Sequence, residues 1–190
     1  MAAASFSCSC GQVKGSVAQT PARGLHLECY CDSCRAGALY SGAQLPSGTP
    51  LDLYLTQPEH VEITQGLENL TPFVFSPKGI VRWKARCCNV PMFSSRPSPK
   101  SAFISVVTDR FETPGVAGPV KSKAFVPKEG GKVGHSGILP LAGLLLRVLG
   151  ARLNGTWRKT PLYDVQTLRP IVEPTLVSKE EKAALLATTP

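Results

Sequence analysis

Leu25-His26-Leu27-Glu28-Cys29-Tyr30-Cys31-Asp32-Ser33-Cys34-Arg35 carries the pattern that decides the fold of this chain. Its first half alternates Leu25, Leu27 and Cys29 against His26 and Glu28, the period of a half-buried strand. Its second half sets three thiols as C-x-C-x-x-C, and such short spacing lets one loop wrap a metal ion. The pattern predicts a mainly β framework stapled by metal, since zinc often substitutes for core in a small β domain.

The other cysteines come in pairs. Cys8 and Cys10 form C-x-C, and Cys87 and Cys88 are adjacent, for seven thiols in all. An odd count, in a chain whose first residues carry no positive n-region or long apolar run, argues against a disulfide framework. The expected location is cytoplasmic. In an extended C-x-C both side chains project from one face and can reach one metal. Seven thiols divide naturally into four and three. Zn²⁺ is the commonest ion for such soft ligands, and two sites are expected.

Outward from the cysteines, Gln12–Val17, Leu51–Leu55, Val61–Thr64, Phe73–Phe75, Ile80–Lys84 and Phe103–Val107 read as further strands. Pro77-Lys78-Gly79 marks a hairpin. Pro114–Gly134, rich in Gly, Pro and Lys, reads as a loop. Gly137–Leu153 has helical spacing, and packing on the core is the expected role of that helix, with docking on a membrane surface or a partner as the alternative. Ser178-Lys179-Glu180-Glu181 is a capping box before a short terminal helix. Helices are therefore expected mostly in the last third. The domain reading is a zinc-binding β domain over 1–112, with a basic loop and helical extension over 113–190 packed on it.

The formal charge of +8 is uneven. Residues 96–190 hold 14 Lys and Arg against 7 Asp and Glu, whereas residues 1–95 hold 7 against 6. No basic run is interleaved with stacking aromatics, so no specific nucleic-acid binding is expected. The longest uncharged apolar-rich run, Gly137–Leu146, is shorter than the roughly 20 residues of a transmembrane helix.

Three segments together resemble a known family. Cys8-Ser9-Cys10-Gly11, then Cys29-Tyr30-Cys31-Asp32-Ser33-Cys34-Arg35, then Cys88-Asn89-Val90-Pro91-Met92 are similar, in order, to the marks of the glutathione-dependent formaldehyde-activating enzyme family (GFA-like, CENP-V/GFA domain). The similarity runs from about Phe6 to about Asp109. Tyr30 stands at the family's usual His, Asp32 at its Ser, Asn89 at its Gly, and Ala85 at the first cysteine of its third mark. The extra thiol is Cys87.

The resemblance implies a structural zinc held by the first and third marks, with Cys8, Cys10 and Cys88 as ligands. It implies a second, catalytic zinc at Cys29, Cys31 and Cys34. Cys87 is expected to complete the first site, or else to close the second as a fourth ligand. The implied chemistry is carbon–sulfur lyase chemistry on a small thiol or a thiol–aldehyde adduct, such as S-hydroxymethylglutathione. Arg35 is the expected cation for an anionic ligand there. A zinc-stapled β domain acting as a binding module, without catalysis, is the alternative. Oligomeric state is not legible in the sequence.

Overall fold

The strand read from Leu25-x-Leu27-x-Cys29 lies inside a broad sheet. In the computed structural model, which describes residues 3–18 and 20–187, it is β3 (Leu25–Cys29). The chain order around it is β1 (Ala4–Ser7), β2 (Lys14–Val17), β3, α1 (Asp32–Tyr40), β4 (Leu51–Thr56), β5 (Val61–Gln65), β6 (Leu70–Val74), β7 (Val81–Ala85), β8 (Val90–Ser95) and β9 (Ile104–Val107). Then follow β10 (Ser122–Pro127), β11 (Val133–Ser136), α2 (Ile138–Leu153), β12 (Thr175–Leu176) and α3 (Lys179–Ala187). The described residues form a mainly β protein with two sheets. One sheet runs β1-β2-β5, and the other runs β11-β10-β3-β4-β9-β8-β7-β6-β12.

The two faces of β4 explain the layering. Leu53 and Leu55 join Leu25, Leu27, Val107 and Leu144 in a core roofed by α2. Tyr54, on the opposite face, joins Phe6, Val13, Val17, Trp83, Phe93 and Val106 in a larger core between the sheets. There Phe6 of the small sheet meets Phe93 of the large one edge-on, with centroids 5.3 Å apart. Leu-x-Leu-x-Leu is thus half of a strand buried on both sides.

The hairpin around Pro77-Lys78-Gly79 is present: β6 and β7 pair antiparallel, Phe73 opposite Arg82. In the terminal helix, the Glu181 N–H donates to Ser178 Oγ, the cap the sequence calls for. One expectation needs correction, and further elements were not singled out in the sequence. Pro114–Gly134 is not wholly loop, since β10 adds in parallel to β3 and turns back into β11. Central β8 is a strand that the sequence pattern did not single out. Its Pro91 sits at a register shift where Trp83 faces Phe93 and Lys84 faces Pro91, a bulge that accommodates the missing N–H. Helix α1 falls in the first third, started by a thiol cap described below.

Residues beyond 112 enter the same architecture. β10 and β11 extend one edge of the large sheet, and β12 pairs with β6 at the other. Tyr163 OH donates to the Arg96 carbonyl at 2.6 Å and contacts Ser95 Oγ at 2.9 Å, and Trp83 Nε1 donates to the same Ser95 hydroxyl.

Candidate metal centre

Two tight turns build the first cluster. After β1, the Cys8 N–H donates to the Val13 carbonyl, and the Gly11 N–H returns to the Cys8 carbonyl. Gly11 has φ +74°, a left-handed conformation that glycine adopts without steric cost. The Val13 N–H also donates to Cys8 Sγ at 3.2 Å. The second turn, Arg86–Asn89, joins β7 to β8. Asn89 is left-handed there, so the adjacent Cys87 and Cys88 need not diverge as they would in a strand.

The four sulfurs of Cys8, Cys10, Cys87 and Cys88 lie within 4.8 Å of one another. The separations are 3.6 Å for Cys8–Cys10, 3.7 Å for Cys8–Cys87 and 3.9 Å for Cys87–Cys88. A tetrahedron with metal–sulfur bonds of about 2.3 Å has an edge of about 3.8 Å. The cluster fits a four-coordinate ion, and Cys87 belongs to it.

Proton affinities in this cluster are strongly split. Burial opposes the Cys8 thiolate, but the Val13 N–H and the thiols of Cys10, Cys87 and Cys88 outweigh it and bring Cys8 down to about 6. Cys87 is pushed up to about 12, first by burial and then by Cys10 and Cys8. One thiolate surrounded by thiols is the arrangement that a bound cation converts to full ionisation, with release of the protons.

The second cluster forms where β3 passes into α1. Cys29 ends the strand, and Cys31 is the N-cap of the helix, its Sγ accepting from the Cys34 N–H at 3.3 Å. Cys29 Sγ and Cys31 Sγ are 3.4 Å apart, and all three sulfurs lie within 4.8 Å. Hydrogen bonds from Cys29 and Cys34 hold the Cys31 thiol down to about 2, while contact with Cys31 pushes Cys29 up to about 11. Among the described residues, no fourth Cys, His, Asp or Glu completes this group. His26 instead contacts Asp52 and the Gly118 carbonyl.

The cation against these thiols is Arg82, which the sequence reading did not single out. Only 7% exposed, it donates from Nη2 to Ser33 Oγ at 2.9 Å and from Nη1 to the Ile80 carbonyl at 3.1 Å. Burial lowers its pKa, and the charges of Cys34, Cys31 and Cys29 oppose that shift. Arg35 is placed differently: its Nη1 donates to the Pro46 carbonyl, and its Nη2 has no partner.

One space touches the central thiols, and a second is lined by their sequence neighbours but by none of the three thiols. A cavity of about 10 Å³, lined by Cys34, Arg82 and Trp83 among others, has room for about one water. A groove of about 370 Å³ runs past Tyr30, Asp32 and Arg35 to Ser47, Thr49 and Leu186. Tyr30 OH donates to Glu28 Oε2 at 2.9 Å, and Glu28 is ion-paired with Lys123 at 2.8 Å.

Comparison with known proteins gives a family but no activity. No curated protein matches the chain at a significant level. A crystal structure of a Rhodobacter sphaeroides protein is similar over 61% of this chain and 96% of that one, at 22% identity and a TM-score of 0.44. A family model matches residues 2–144, most of the chain. The protein belongs to that family, the family of unknown function DUF6151.

Proposed function

We propose that the protein is a zinc-dependent, GFA-like enzyme that makes or breaks the carbon–sulfur bond of a thiol–aldehyde adduct. The observation that carries the reading is the second cluster: three thiols with no fourth donor among the described residues, whose sequence neighbours Tyr30, Asp32 and Arg35 line a groove of about 370 Å³. Four thiols at Cys8, Cys10, Cys87 and Cys88 make a closed site suited to a structural zinc. Zinc at Cys29, Cys31 and Cys34 would supply a Lewis acid that keeps a substrate thiol ionised near neutral pH.

The chain's own residues then have distinct tasks. Cys29, Cys31 and Cys34 give the site a negative charge that the buried Arg82 guanidinium offsets. Arg35 lines the groove, and its guanidinium is the cation for a substrate carboxylate such as those of glutathione. Tyr30 and Asp32 stand at the same groove and position its polar end. In the cleavage direction the carbon–sulfur bond of an S-hydroxymethyl thiol breaks. Its electron pair stays on sulfur, the hydroxyl proton passes to water, and the aldehyde leaves.

The test is adduct formation from formaldehyde and glutathione, followed by NMR with zinc-loaded protein. Wild type should accelerate equilibration, and Cys31→Ser should not. No acceleration by a fully loaded protein, or a four-thiolate shell around the second metal, would favour the non-catalytic binding module.

A further inference from the structure

Helix α2 is covered on one side only. Leu144 and Ala151 are buried, Leu144 with Leu25, Leu27 and Val107, and Ala151 with Ala102 and Trp157. Ile138, Leu139, Leu145, Leu146, Leu149 and Leu153 are between 52% and 85% exposed. At 100° per residue these six side chains share an arc of about 120°. A contiguous aliphatic face of this kind marks an interaction surface rather than scattered surface leucines.

Charge says what covers it. Between Glu129 and Asp164 the chain has no Asp or Glu, but it has Lys132, Arg147, Arg152, Arg158 and Lys159. Arg152 borders the aliphatic arc and is exposed. The turns packed beside α2 add Lys100 and Arg158, both against the Trp157 ring. The strands beneath it add Lys123 and Glu28, which are paired with each other. A second copy docked on this face would set cations against cations, with no carboxylate on α2 to meet them. The helix is too short to cross a membrane.

We infer that the exposed aliphatic face of α2 docks on an anionic lipid surface. The six side chains enter the apolar layer beneath the headgroups, while Arg152 at the edge of the arc meets lipid phosphates and carboxylates. Neither signal is sufficient by itself.

The experiment is co-sedimentation of the zinc-loaded full chain with vesicles of phosphatidylcholine alone or mixed with phosphatidylserine. Binding to the mixed vesicles should be stronger by about tenfold or more, and should weaken as sodium chloride is raised. Leu145→Glu with Leu149→Glu should abolish it without changing melting temperature or zinc content, because both side chains face solvent. Arg152→Glu should weaken it. Cys31→Ser should leave it intact, which separates this docking from the metal chemistry. The inference is overturned if neither vesicle binds, if the double variant binds like wild type, or if the chain is a dimer that the double variant splits while vesicles are ignored.

Discussion

Arg82 Nη2 donates to Ser33 Oγ at 2.9 Å and thereby fixes a buried guanidinium beside the thiols of the central cluster. Ser33 lies between two of those thiols in sequence, so a single hydrogen bond ties the cysteine-bearing segment to β7. Arg82→Met keeps much of the apolar stem but removes the counter-charge. Loss of a residue that orients and neutralises metal ligands typically costs about 10- to 100-fold in affinity. Competition with a chromogenic chelator should show that loss at one of two zinc equivalents. Unchanged affinity at both would exclude the role.

Gly37 provides the room that Arg82 occupies. A Cβ there would lie 2.4 Å from Arg82 Cδ and 2.6 Å from Nε. Helix propensity alone favours alanine in α1 by about 1 kcal/mol. The two effects have opposite signs, and the buried guanidinium has little space to retreat. Gly37→Ala should therefore weaken the central metal site in the same titration, whatever it does to the melting temperature. Tighter metal binding would mean that Arg82 relocates freely.

The alternation at Leu25–Cys29 was legible because β3 buries one face fully and the other only in part, and Leu51–Leu55 kept its period because Asp52 lies at the half-buried start of β4. The grouping of Cys87 and Cys88 with Cys8 and Cys10 was legible as a count of four and three. Its geometry was not, because it depends on the Arg86–Asn89 turn, which a left-handed Asn89 closes just after Cys88. Arg82 was hidden for another reason: its partner Ser33 is 49 residues away, and no local spacing reports such a contact. Helix α1 was missed because its cap is Cys31 rather than Ser, Thr, Asp or Asn. The signal present was Asp32 in the first turn, with no proline or β-branched residue through Tyr40. Pro91 concealed β8, since a proline within a run ordinarily argues against a central strand.

Tyr163 ties the later part of the chain to the main core. Burial pushes its phenol up to about 12, partly offset by the Ser95 hydrogen bond. An unfolded tyrosine titrates near about 10. The folded pKa is the higher one, so the neutral phenol's contribution to stability is complete below about 10 and is lost as pH rises through about 12. Tyr163→Phe removes the donor to the Arg96 carbonyl and should cost about 1–2 kcal/mol at neutral pH. Urea unfolding from pH 8 upward should show the variant's deficit shrinking over that alkaline window. A constant deficit would mean that the phenol ionises equally in both states.

The two clusters should lose metal unequally. Cys8, Cys10, Cys87 and Cys88 would enclose a bound ion, whereas Cys29, Cys31 and Cys34 would leave one tetrahedral position for water, thiol or chelator. Mild chelation of the zinc-loaded protein should remove about half of the zinc and leave circular dichroism unchanged. Binding at a structural site is folding free energy, on the order of 10 kcal/mol in zinc-finger peptides. Cys10→Ala should accordingly unfold or aggregate. Cys31→Ser should lose one equivalent of zinc at a smaller cost in stability, although it also removes the thiol that caps α1. Zinc content and melting temperature measured on both variants side by side decide the matter. Equal destabilisation, or an ion at the second cluster that resists chelation as well as the first, would place a closed fourth ligand there.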